Sequence, residues 1–91
     1  MAKVIVTMEI MPDSPDTDLE AIKKKAKDKI AEKQGIVSSI EEKPIAFGLK
    51  AVIIIFAVDE KQGSPDPIAE WLETQEGITS AQITMVSRAL G

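Results

Sequence analysis

The groups in this chain that could do chemistry are carboxylates, lysines and a single arginine, because its 91 residues include 0 His, 0 Cys and 0 Tyr. Without imidazole or thiol there is no zinc finger, no Cys–His nucleophile and no thiolate redox centre. The side chain whose unperturbed pKa lies nearest neutrality is absent. Acid–base catalysis would need a carboxylate or lysine shifted by several units, and a chain this short rarely buries one deeply enough. What remains is recognition by fixed charge and by shape. The expectation is a binding or regulatory module rather than an enzyme, with no cofactor or metal of its own. The residues to place are the cations Lys3, Lys43, Lys50 and Arg88, and Phe47 beside Gly48, in a chain with only 2 Phe and 1 Trp.

The elements that must position them follow from periodicity. Val4, Val6, Met8 and Ile10 alternate with Lys3, Ile5, Thr7 and Glu9, a period of two that predicts a half-buried strand. Pro12 to Asp16 breaks the chain. Thr17-Asp18-Leu19-Glu20 reads as a capping box with Thr17 as N-cap and Glu20 reaching back. Leu19, Ile22, Ala26 and Ile30 then follow at helical spacing, and Gly35 supplies the stop. Ile36 to Lys43 reads as a weaker strand, Pro44 to Gly48 as a connection, and Leu49 to Val58 as a β-branched, apolar central strand. After a second break, with Ser64 or Asp66 as cap, Ile68, Trp71 and Leu72 mark a short helix that Gly77 ends. Ile78 to Ser87 alternates again, with Ala81, Ile83 and Met85 on one face.

The order β-α-β-β-α-β predicts an α+β fold. Right-handed crossovers turn its two halves into a ferredoxin-like sandwich, an antiparallel four-stranded sheet in the order 4-1-3-2 with both helices on one face. At 44% apolar and 29% charged, with net charge −4, residues 1–91 read as one soluble, cytoplasmic domain. The longest apolar run, Ala51 to Val58, is too short to span a membrane. Taking the first and third strands to start at one end of the sheet predicts that Lys3, Lys43, Lys50, Arg88 and Phe47 gather on one basic edge. Asp13, Asp16, Asp18, Asp59, Glu60 and Asp66 then gather on an opposite, acidic edge. On that placement Arg88 and Phe47 lie about 10 Å apart.

Simpler roles compete for several of these residues. Aspartates near helix N-termini are expected from capping and the macrodipole. The lysines from Lys23 to Lys33 read as a solvated helix face with a Glu20–Lys24 pair. Trp71 reads as core. Phe47 fits a contact under its own loop as well as a contact with a partner.

The stretch Lys43-Pro44-Ile45-Ala46-Phe47-Gly48-Leu49-Lys50, followed by an apolar strand ending Val58-Asp59-Glu60, resembles the nucleotide-exchange domain of the translation elongation factor 1-beta family, in its compact archaeal form. The segment from Ser80 to Arg88 is similar to that family's C-terminal strand, and Pro12-Asp13-Ser14 to Leu19-Glu20 to its first strand–helix junction. The resemblance implies the ferredoxin-like fold and a guanine nucleotide exchange factor for elongation factor 1-alpha. In that family an aromatic before the third strand packs into the G protein, and the match is Phe47, flanked by Gly48 and Lys50. A basic residue near the C-terminus points at the Mg²⁺–phosphate region, and the match is Arg88. The chain departs from the eukaryotic pattern at Ala46, usually glycine, at Ala51, usually lysine, and at Arg88, commonly lysine.

Rival readings use the same topology. RNA-recognition domains stack bases on aromatics of the central strands, and here those strands offer only Phe56 on a net-acidic chain. No nucleic-acid or membrane partner is expected. A small-molecule-binding regulatory domain is the stronger alternative, and metal chaperones with this topology need a Cys pair. The outward Ile and Val residues of the third strand also offer a homodimer surface, since helices cover one face only.

Overall fold

The computed structural model describes residues 3–62 and 65–89. Strand β1, Lys3–Pro12, leads to helix α1, Leu19–Glu32, and strand β2, Ile36–Pro44. A tight turn at Ala46–Gly48 joins β2 to strand β3, Lys50–Asp59; helix α2, Asp66–Glu73, and strand β4, Ile78–Ala89, follow. The sheet order is β2-β3-β1-β4 and every neighbouring pair is antiparallel. This is the ferredoxin-like sandwich that the element order predicts.

Alternation on the strands decides which face is buried. Val6, Met8 and Ile10 of β1 and Val52, Ile54, Phe56 and Val58 of β3 face the helices and are buried. Ile22, Ala26 and Ile30 of α1 meet them, with Ile68, Ala69 and Leu72 of α2. This core holds no polar side chain among the described residues, so nothing in it incurs the cost of an unpaired buried donor or acceptor. No helix among them is long and apolar enough to cross a membrane.

Several local expectations are corrected. The N-cap of α1 is Asp18, not Thr17: Asp18 Oδ1 accepts from the backbone N–H of Glu20 at 3.0 Å and of Ala21 at 3.4 Å. Thr17 is diverted, its hydroxyl donating to Asp13 Oδ1 at 2.9 Å, and a carboxylate at the cap also meets the positive end of the helix. The left-handed residue that ends α1 is Gln34, φ 60°, rather than Gly35. The N–H of Gly35 reaches Ile30 O and that of Gln34 reaches Ala31 O, both at 2.9 Å, the bonding pattern of a Schellman motif. Gly35 serves space instead, since a Cβ there would lie 2.6 Å from Ile30 Cγ2 and 2.9 Å from Val58 Cγ1.

Helix α2 has Pro65 at its N-cap, without a side-chain bond, and Asp66 is already its first residue; Ser64, the other expected cap, lies outside the described residues. The helix ends at Glu73, before Gly77. Trp71 is half-buried at the core margin, with Lys29 Nζ 5.0 Å from its ring centroid. Glu20 pairs with Lys23, and Lys24 with Asp28. The lysine face is not wholly solvated, because Lys23 Nζ also donates to Glu42 Oε2 of β2 at 2.6 Å.

Strand β4 carries an irregularity that alters its faces. Met85 is opposite Thr7 and Ile83 is opposite Met8, which leaves Thr84 as an extra residue, its hydroxyl 3.3 Å from Thr7 O. Such a bulge reverses the alternation beyond it. Met85 is therefore not on the face of Ala81 and Ile83; it lies opposite Thr7 on the open face and is 62% exposed. Val86 and Arg88, opposite Val6 and Val4, turn to the helix side instead.

Candidate functional site

The register separates residues that the expected basic edge would have joined. Lys3 of β1 lies opposite Asp59 of β3, and Ile10 opposite Val52, so β1 begins where β3 ends. The first and third strands run in opposite directions, which removes both the basic and the acidic edge. Lys3 and Arg88 share one end of the sheet with Asp59 and Glu60. Phe47, Gly48, Lys43 and Lys50 stand at the other end, with Asp13, Asp16 and Asp18. Arg88 is level with Val4, while the turn at Phe47 lies beyond the level of Pro12. At ~3.4 Å per strand residue the levels of Val4 and Pro12 are about 27 Å apart, so Arg88 and Phe47 are at least that far from each other rather than about 10 Å.

At the first end the β2–β3 connection is a tight hairpin tip. Ile45 N–H donates to Leu49 O at 2.8 Å, and Leu49 N–H to Ala46 O at 3.2 Å. Between them Phe47 (φ 63°, ψ 28°) and Gly48 (φ 77°) both occupy the left-handed region. Two consecutive positive φ values are what a type I′ turn requires, and a bulky residue rarely adopts the first of them. Holding Phe47 there costs about 1–2 kcal/mol. The ring is nonetheless 91% exposed, so the alternative of a contact under its own loop falls away. A Cβ on Gly48 would stand 3.8 Å from Pro15, which places the β1–α1 loop against the tip. That loop is tied in turn to the α2–β4 turn through Asp13 N–H and Gly77 O at 3.0 Å.

At the second end Arg88 Nη2 lies 3.0 Å from Glu60 Oε2, with side chains 74% and 40% exposed. Glu60 opens a single helical turn, Glu60–Gln62, just after β3, and Asp59 Oδ1 accepts the N–H of Lys61 at 2.9 Å. Because β1 lies between β3 and β4, this ion pair crosses the start of β1 on the helix side. Lys3 projects from the same end on the open face.

Other surfaces offer less. Phe56 is fully buried against the helices, so the open face has no aromatic platform for bases. The apolar residues of β3 that are half-exposed on the open face are Ile53, Ile55 and Ala57; its valines Val52 and Val58 are buried. An open groove of about 440 Å³ between α2 and β4 is walled by Asp66, Glu70 and Glu73. Glu73 Oε2 there accepts the N–H of Ala81 at 3.3 Å on the free edge of β4. Among the described residues no three His, Cys, Asp or Glu side chains are grouped to hold a metal ion.

Sequence reasoning singled out Phe47 and Arg88 but missed Glu60 as the partner of Arg88. The signal that would have found it is strand direction, since antiparallel β1 and β3 bring the residue after β3 to the end of β4.

Comparison with known proteins places these features in a family context. The family model for the EF-1 guanine nucleotide exchange domain matches residues 5–89. The chain is 38% identical over 90 residues to elongation factor 1-beta of Methanothermobacter thermautotrophicus, covering 99% of this chain and 100% of that one. It is 38% identical over 88 residues to elongation factor 1-beta of Methanosarcina barkeri, covering 97% and 99%. Among solved structures, the C-terminal domain of the MgtC protein from Mycobacterium tuberculosis superposes with a TM-score of 0.66 at 7% identity, covering 96% of this chain and 87% of that one. That likeness is one of fold alone.

Proposed function

The chain belongs to the EF-1 guanine nucleotide exchange domain family, and from that membership we propose a division of labour between the two ends of its sheet. The protein is a guanine nucleotide exchange factor that promotes GDP release and GTP loading on translation elongation factor 1-alpha during protein synthesis; it is not an enzyme that makes or breaks covalent bonds. Residues 1–91 work as one exchange domain in the cytoplasm. Phe47, with Gly48, Lys43 and Lys50 around it, anchors one end to the G protein. Arg88, with Lys3, meets the partner's Mg²⁺–phosphate region at the other.

The observation that carries this reading is an aromatic ring 91% exposed on a left-handed hairpin tip. A strained, solvated phenylalanine contributes nothing to the fold, and its fixed direction suits insertion into a pocket. Arginine then supplies a fixed positive charge that opposes a nearby divalent cation. No group titrating near neutrality is needed, because exchange is a linkage effect. A partner that favours the nucleotide-free G protein weakens nucleotide binding by the factor by which nucleotide weakens the partner. A thousandfold effect is about 4 kcal/mol, a scale one displaced cation can supply.

The test is release of labelled GDP from elongation factor 1-alpha. Phe47→Ala and Arg88→Ala are each expected to slow it by roughly tenfold or more, with the fold intact. Full activity in both variants would remove the proposed roles. A small-molecule regulatory role has less support, since the groove between α2 and β4 is open and acid-walled.

A further inference from the structure

Arg88 is the only arginine in the chain, and it does not stand free. Its Nη2 is 3.0 Å from Glu60 Oε2, across the start of β1. Three independent features bring the pair together. The antiparallel register of β1 and β3 sets Asp59 opposite Lys3, so Glu60 emerges at this end. The Thr84 bulge turns Arg88 to the helix side, where Glu60 lies, instead of the open face. The bond from Lys61 N–H to Asp59 Oδ1 fixes the turn that carries Glu60.

We propose that Glu60 is a competing anion that holds Arg88 in the free protein, and that docking exchanges its carboxylate for an anionic oxygen of the partner's nucleotide site. This rests on the reading that Arg88 acts at that site. The carboxylate engages Nη2 and offsets part of the guanidinium charge, so a phosphate oxygen that takes the planar fork through that nitrogen must displace Glu60. The cost is small because the side chains are 74% and 40% exposed, and an exposed pair contributes little. It is large enough to discriminate. A surface that presents anionic oxygens at Arg88 repays the exchange, whereas a neutral surface leaves the pair closed. Glu60 is then a specificity-determining residue for the exchange reaction, acting through Arg88.

The experiment compares GDP release from elongation factor 1-alpha with the unaltered protein, Glu60→Gln, Arg88→Ala and the double variant, at subsaturating factor and two ionic strengths. Glu60→Gln keeps the size of the side chain and removes its charge. It is expected to speed release roughly two- to fivefold at low salt, the range set by an exposed ion pair, with the gain shrinking at high salt. In the Arg88→Ala background the same change is expected to do nothing. An equal gain in both backgrounds, or slower release with Glu60→Gln alone, overturns the inference. A second measurement needs no G protein: inorganic pyrophosphate is titrated against the Arg88 Nε–H resonance. Glu60→Gln is expected to lower the midpoint two- to fivefold, and equal midpoints overturn the competition. A lowered midpoint combined with full activity of Arg88→Ala instead overturns the role of Arg88 in exchange, and with it the docking step.

Discussion

Phe47 illustrates what a residue's identity reveals and what it conceals. That an aromatic next to glycine sits in a connection was readable from Pro44 to Gly48. Its φ of 63° and its 91% exposure were not, because they follow from where the β2–β3 hairpin closes, Ile45 on Leu49, and the stretch allows more than one turn length. The strain allows stability to be separated from function. Phe47→Gly replaces a side chain that resists positive φ with one that tolerates it. Unfolding stability should therefore stay unchanged or rise by up to ~1 kcal/mol in urea titrations. GDP release should nevertheless fall about as far as with Phe47→Ala. A loss of stability parallel to the loss of exchange would mean that the ring supports the fold. Glu60 shows the converse limit, since nothing in its local sequence marks it as the partner of a residue 28 positions away.

Among the elements, those with long regular periodicity were legible. The core face of α1, Ile22, Ala26 and Ile30, is the one its spacing predicts, β1 buries Val6, Met8 and Ile10 of the set its alternation selects, and β3 is the central strand its apolar run predicts. The final strand was not, because a bulge leaves no compositional trace: Thr84 looks like any strand threonine. The packing of α1 against β2 has a charged component that pH can probe. The hydrogen bond from Lys23 holds the Glu42 carboxyl below its usual range and, reciprocally, raises the Lys23 ammonium above its own. A depressed carboxylate contributes stability that is complete above its unfolded pKa and is lost as pH falls through the folded value. The raised lysine contributes stability that is complete below its unfolded pKa and is lost only as pH rises through its higher folded value. The pair is therefore intact at neutrality and fails first in acid, below pH 4.5, the ordinary value for the carboxyl. Urea midpoints measured from pH 7 to pH 3 should fall less steeply for Glu42→Gln than for the unaltered protein. Parallel acid limbs would show that the contact contributes nothing.

On the scale of the whole molecule, the fold was legible and the placement of the site was not. The strand order follows from the element order, but a single assumption about the relative direction of β1 and β3 put Phe47, Lys43 and Lys50 at the wrong end, beside Lys3 and Arg88. With Arg88 and Phe47 at least about 27 Å apart, the two contacts share no neighbours, and their effects should be independent. The losses from Phe47→Ala and Arg88→Ala, expressed as free energies, are expected to add within about 0.5 kcal/mol in the double variant. Coupling well beyond that would show that the two residues act at one place. The rigid sheet joining them also works as a pair of calipers. Its span is counted in strand residues, so a two-residue insertion through the β1, β3 and β4 ladder would open the jaws by ~7 Å while every side chain kept its face. A factor widened in this way could retain both tips and its full stability yet fail on its own G protein, because fit would be lost in length alone.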